Sequence, residues 1–135
     1  MGRRRWCREG AASRATADSQ EFGADTILIE DIGPGMSLLQ DLRFDMPVGM
    51  TWPIGQKPEG SKLERLAAQS AKIEAGQVYL PKEVPGLDIF LNELLAFPNS
   101  QHDDQVDSVS QFLHWVGKTR FFESGISVGL PIFGD

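Results

Sequence analysis

Two clusters of carboxylates carry the residues most able to do chemistry. Glu30 and Asp31 close the short run Thr26-Ile27-Leu28-Ile29 and stand just before Gly33-Pro34-Gly35. The second cluster is His102-Asp103-Asp104-Gln105-Val106-Asp107. On a helix, the i, i+4 pair Asp103/Asp107 and the i, i+3 pair Asp104/Asp107 bring all three acids to one side. Like charges at those spacings repel, by about 0.2–0.5 kcal/mol per pair on an exposed helix. A divalent cation reverses the sign, because Mg²⁺ or Mn²⁺ takes a few carboxylate oxygens and fills its other positions with water. Two such ions about 3.5–4 Å apart clamp the attacking and leaving oxygens of a phosphodiester. A plainer origin stays open for the same residues. Asp is favoured in a helix's first turn by capping and by the macrodipole, and Glu30-Asp31 can be solvated turn residues. Asp107 falls in the second turn, where that explanation is weaker.

Other chemistry-bearing residues are less well placed. Gly33-Pro34-Gly35 has part of a phosphate-loop pattern, but two neighbouring acids repel phosphate, so a plain turn is the better reading. His102 and His114 are 12 residues apart and do not make a zinc pair; each reads as a surface or capping residue. The single cysteine, Cys7, has no base near it in sequence, and one cysteine excludes both a disulfide framework and a cysteine zinc cluster. Lys62, Arg65, Gln69 and Lys72 step 3, 4, 3 and share one helical face opposite the leucines. That face is either solvated or a stripe that tracks phosphates.

The elements that must position these residues belong to a chain of 135 residues, 41% apolar, the length of one domain. A chain this size buries about two-thirds of its unfolded surface. No apolar run approaches the length of a membrane span. MGRRRWCREG has the basic end of a signal peptide without an apolar stretch behind it, and the chain reads as cytoplasmic. Residues 1–20 hold five Arg against Glu9 and Asp18, and residues 21–135 hold 8 basic against 17 acidic residues. An acidic body argues against a simple basic-patch nucleic-acid binder. It leaves room for a carboxylate site that draws its positive charge from metal ions.

Residues 1–23 show no period of 2 or 3.6 and read as a poorly ordered basic lead-in. Thr26–Glu30 reads as a buried strand stopped by the Gly-Pro-Gly turn, followed by a short helix from Met36 to about Arg43. Pro47–Met50 reads as a second strand, leading into a loop that ends at Gly60. Ser61 and Glu64 form a capping box for a helix that Gly76 stops, with Leu63, Leu66, Ala67, Ser70 and Ala71 as its inner stripe. Gln77–Leu80 reads as a third strand. Leu87, Phe90, Leu91, Leu94 and Leu95 mark an amphipathic helix that ends before Pro98. The last helix runs from about Asp103 to Val116 and buries Val106, Val109, Leu113 and Val116. Strands alternate with helices, so the predicted class is α/β with a small, mostly parallel sheet. The expected organisation is the lead-in 1–23, a domain over 24–117 and a tail over 118–135.

Several strings resemble the C-terminal nuclease domain of phage and prophage terminase large subunits. They are Ile27-Leu28-Ile29-Glu30-Asp31 with Gly33, Gly35 and Ser37-Leu38-Leu39-Gln40-Asp41-Leu42; Lys57-Pro58 with Lys62 and Arg65; Ile73-Glu74-Ala75-Gly76-Gln77-Val78 with Leu80-Pro81; and Phe97-Pro98-Asn99 with His102 to Asp107. The last is the most specific, and together they cover about residues 25–116. The resemblance implies an RNase H-like three-layer fold with flanking helices. It also implies a two-metal-ion endonuclease that cuts double-stranded DNA during viral genome packaging with Mg²⁺ or Mn²⁺. Glu30 matches the second family carboxylate, and Asp103-Asp104-x-x-Asp107 matches the last acidic motif, with Asp104 and Asp107 the preferred metal ligands. Lys62 and Arg65 match basic positions expected to meet DNA phosphates.

One departure from the family pattern concerns the first carboxylate, which the family carries on an upstream strand. Only Glu9 and Asp18 precede Ile27 here, and neither lies on a strand-like run. The family's ATPase domain has no counterpart either. The chain therefore reads as an incomplete nuclease domain from a prophage gene, with weak metal binding and impaired cutting. The expected partners are double-stranded DNA and packaging proteins such as the small terminase and portal, in the cytoplasm of a bacterial host, with no membrane. The alternative is a non-catalytic prophage remnant, or an acidic module that docks a protein. A third reading is another RNase H-like enzyme, such as a resolvase or transposase, which would lack the Leu80-Pro81 and Phe97-Pro98 context.

Overall fold

A computed structural model describes residues 2–119, with side chains from residue 10 onward. In chain order the elements are α1 (Gly2–Phe22), β1 (Leu28–Glu30), α2 (Pro34–Phe44), β2 (Ile54–Gln56), α3 (Lys62–Glu74), α4 (Leu87–Ala96) and α5 (Asp104–Thr119). Helices thus accompany one small parallel sheet. The chain divides into two compact units, Met1–Pro58 and Glu59–Asp135. That division falls inside the span 24–117 expected as one domain. Most of the expected tail, residues 120–135, lies outside the described residues. Among the described residues, no helix is long and apolar enough to cross a membrane.

In the first unit, β1 and β2 pair in parallel, with Leu28 opposite Ile54, Ile29 opposite Gly55 and Glu30 opposite Gln56. The ladder is extended by Ile54 N–H donating to the Ile27 carbonyl at 2.8 Å and Asp31 N–H donating to the Gln56 carbonyl at 2.9 Å. Parallel strands need a crossover, and α2 is part of it. Ile29 from the strand, Leu39 and Leu42 from α2, and Met50 form the core. Each such side chain contributes about 1.5–3 kcal/mol when fully buried. The turn from β1 into α2 depends on glycine. A Cβ at Gly35 would run into the Glu30 carbonyl oxygen, and Pro34 opens the helix where its missing N–H costs nothing.

Residues 2–22, expected without regular structure, form α1, and its Ala12 and Ala15 pack onto the Ile29–Leu42 core. The segment is rich in Arg and Ala, which favour helix without leaving an amphipathic period to read. Pro47–Met50 is a turn rather than a strand: Met50 N–H donates to the Pro47 carbonyl at 3.2 Å, and Gly49 has a φ of 86°. The second strand is instead Ile54–Gln56, inside the expected loop. There a Cβ on Gly55 would stand 2.7 Å from Leu39 Cδ2, so the absence of a side chain lets the helix close onto the sheet.

In the second unit Gln77–Leu80, expected as a strand, forms none, and Tyr79 is exposed. Its first residue is used to end α3. Gly76 N–H donates to the Ile73 carbonyl and Gln77 N–H to the Lys72 carbonyl, both at 3.1 Å, with Gly76 left-handed at φ 72°. This is the Schellman arrangement. The capping box at the other end is present as expected, with Glu64 N–H on Ser61 Oγ at 3.2 Å and Ser61 N–H on Glu64 Oε2 at 2.7 Å. Both α3 and α4 pack against α5. Phe90 of α4 and Val106 and Val116 of α5 are buried between them.

Candidate functional site

α3 turns Leu63 away from its packed face. Leu63 is 53% exposed, whereas Gln69 is 4% exposed. The row Lys62, Arg65, Gln69 and Lys72, expected opposite the packed face, is the face that meets α5. The reason lies in the partner helix. Pairs 62/103, 65/107 and 72/113 rise together along the two helices, so two basic residues one turn apart meet two aspartates one turn apart, and Lys72 further on meets the Leu113 carbonyl.

At the N-terminal end of α5, Lys62 Nζ donates to Asp103 Oδ1 at 2.6 Å and to Asp104 Oδ1 at 3.2 Å. The hydrogen bond to Asp103 raises the Lys62 pKa above 10.5; partial burial opposes this, and Asp104 adds to the rise. The Lys62 and Asp103 side chains are about one-third exposed, while that of Asp104 is 94% exposed. One turn further on, Arg65 grips Asp107 with two parallel bonds: Nε to Oδ1 and Nη2 to Oδ2, both 2.8 Å. This pair is nearly dry, with 14% of the Arg65 and 5% of the Asp107 side chain exposed. Gln111 Nε2 adds a donor to Asp107 Oδ2 at 3.3 Å, and Arg65 Nη1 reaches the Gly60 carbonyl at 2.6 Å. At the far end, Lys72 Nζ donates to Gln69 Oε1 at 2.7 Å and to the Leu113 carbonyl at 3.0 Å.

α4 contributes a residue that sequence reasoning missed. Glu93 is 7% exposed, and its Oε1 accepts from Val106 N–H at 3.0 Å. A carboxylate there satisfies an orphan donor of the first turn and complements the positive end of the α5 dipole. The signal was an acid set into a stripe of leucines. His102 is exposed, while the Nε2 of His114 is enclosed without a hydrogen-bond partner.

Of the expected site residues, the structure gathers Lys62 with Asp103 and Asp104, and Arg65 with Asp107. Glu30 belongs to the first unit, exposed at the end of β1. Among the described residues, no three His, Cys, Asp or Glu side chains group in a way that could hold a metal ion. The arrangement nevertheless directs two carboxylate oxygens at one cationic point, with Asp104 open to solvent. No protein-family model, curated protein or solved structure matches the chain.

Proposed function

We propose that this chain is a nuclease-type module of the terminase large-subunit kind, with an RNase H-like fold. In this reading it binds Mg²⁺ or Mn²⁺ weakly and cuts double-stranded DNA during viral genome packaging with an activity impaired by the missing upstream carboxylate. The observation that carries the reading is the convergence of Asp103 Oδ1 and Asp104 Oδ1 on a single cation, Lys62 Nζ. It occurs in the string most similar to that family. The donor set suits a hard divalent ion, which takes carboxylate oxygens and keeps several waters. A bound ion supplies an acidified water and a counter-charge for the phosphate. Asp104 and Asp103 would hold it within the second unit; the resemblance also names Glu30, which lies in the first unit. Asp107, with both oxygens on Arg65, fixes the acidic turn rather than binding the ion. Were these carboxylates to hold a metal ion, Lys62 would be free to meet the DNA phosphates that its expected role requires.

A second reading, the non-catalytic acidic interaction module, is favoured by a different fact. Every aspartate of the cluster already has a basic partner within the unit. Thermal melting with and without millimolar Mn²⁺, alongside plasmid nicking, separates the two. In the nuclease reading Mn²⁺ raises the melting temperature by binding the native state, and Asp104→Asn removes the rise. Asp107→Asn lowers stability with or without metal. A melting temperature indifferent to Mn²⁺ selects the interaction module.

A further inference from the structure

A groove of about 620 Å³ lies in the first unit between α1 and the C-terminal end of α2. Ala12 and Thr16 form one wall and Leu42 and Phe44 the other, with Asp41 and Asp45 on the same side as Phe44. Leu42 is buried, but Phe44 is 94% exposed, a large aromatic ring left almost wholly in water. Asp41 and Asp45 are one turn apart and repel each other. They also stand where the dipole of α2 is negative, which disfavours anions. Among the described residues no basic side chain pairs with either. Arg43, the basic residue of the same turn, is committed elsewhere. Its Nε and Nη2 donate to the Pro53 carbonyl at 3.2 and 2.9 Å, and its guanidinium lies 5.4 Å from the Trp52 ring centre.

Among the described residues, two costs therefore stand uncompensated at one spot, an exposed aromatic ring and an unpaired acidic couple. A single occupant relieves both if it is apolar on one side and cationic on the other. We propose that this groove docks a cationic amphipathic segment of a partner protein. Its apolar side chains lie on Phe44 and the Ala12 wall, and its Lys or Arg groups lie on Asp41 and Asp45. The α1 wall from Ala12 to Gln20 is about 12 Å long at 1.5 Å per residue, enough to seat two turns of a bound helix. The acids that favour this occupant repel phosphate, so the groove is independent of the nuclease reading and stands or falls separately from it.

The test is fluorescence anisotropy with two labelled Leu/Lys peptides of equal composition. One has its leucines at i, i+3, i+4 and i+7, and the other is scrambled so that it has no apolar face. The wild type should bind the patterned peptide about tenfold more tightly than the scrambled one, more weakly as salt is added. Asp41→Asn with Asp45→Asn should weaken that binding by about tenfold and flatten its salt dependence. Phe44→Ser should weaken it while keeping the salt dependence, and Asp88→Asn in the other unit should change nothing. Because the two Asn substitutions relieve repulsion, that variant should melt no lower than the wild type, which shows that it is folded. Equal affinity for the two peptides, or undiminished binding by the Asn variant, overturns the proposal.

Discussion

At the scale of single residues, Asp107 and Asp104 differ more than their spacing suggests. Asp107 is nearly dry and doubly bonded, so its loss strands the Arg65 guanidinium in a poorly solvated place. Breaking a buried pair from one side costs about 3–5 kcal/mol, whereas replacing both partners by apolar groups of similar volume costs far less. Asp107→Ala should therefore lower the urea midpoint sharply. Arg65→Met combined with Asp107→Leu should recover most of the loss, and a double variant no better than the single one would show that the pair is not the cause. Glu64 offers a pH test. Bonds from the Ser61 backbone and hydroxyl hold its carboxyl below its ordinary 4.5. A depressed carboxyl stabilises above the unfolded value and loses that contribution as pH falls through its folded value. Melting followed from pH 6 to about pH 3 should decline more steeply in the wild type than in Glu64→Gln. Lys62 works with the opposite sign. Its raised pKa leaves its contribution intact at neutral pH, to be lost only as pH climbs past 10.5.

At the scale of elements, the chain was readable where local chemistry ends a helix and opaque where packing decides. Ser61, Glu64 and Gly76 mark α3 correctly because caps are made by neighbours in sequence. The β1–turn–α2 unit was legible for the same reason, through Gly33-Pro34-Gly35. β2 was not, because three residues with a central glycine carry no period, and their pairing depends on Ile27 and Asp31, more than twenty positions away. The orientation of α3 is the feature least legible in the sequence. Leucines suggest the inner face, yet the decisive information is the pair of aspartates one turn apart at the start of α5, which meets Lys62 and Arg65. The carboxylate cluster itself was visible, but its basic partners and the buried Glu93 could be placed only by tertiary contact. The β1–α2 turn supports a direct test. Gly35→Ala should separate strand and helix, since its methyl meets backbone rather than a movable side chain. Amide exchange at Asp31 and Ile54 should then speed up markedly; unchanged exchange would mean that the turn can relax around a Cβ.

At the scale of the whole molecule, charge is segregated along the chain, with five Arg in residues 1–20 and an excess of acids after them. In the nuclease reading the two ends do different work. The arginines give weak, metal-independent attraction to duplex DNA, while the acidic body repels the backbone until divalent ions offset it. Counterion release makes the first contribution measurable, because log K falls with log salt at about 0.9 per neutralised phosphate on B-DNA. Replacing Arg3, Arg4, Arg5 and Arg8 by Gln should reduce that slope in the absence of Mn²⁺ and bring basal affinity close to zero. Adding Mn²⁺ should raise affinity by a similar factor in the variant and the wild type, since the carboxylates involved are untouched. Anisotropy titrations of a labelled duplex across a salt series, with and without Mn²⁺, provide both readings. A slope unchanged by the four substitutions would remove the arginines from DNA binding. A variant that no longer responds to Mn²⁺ would show instead that the basic end and the carboxylates act as one site.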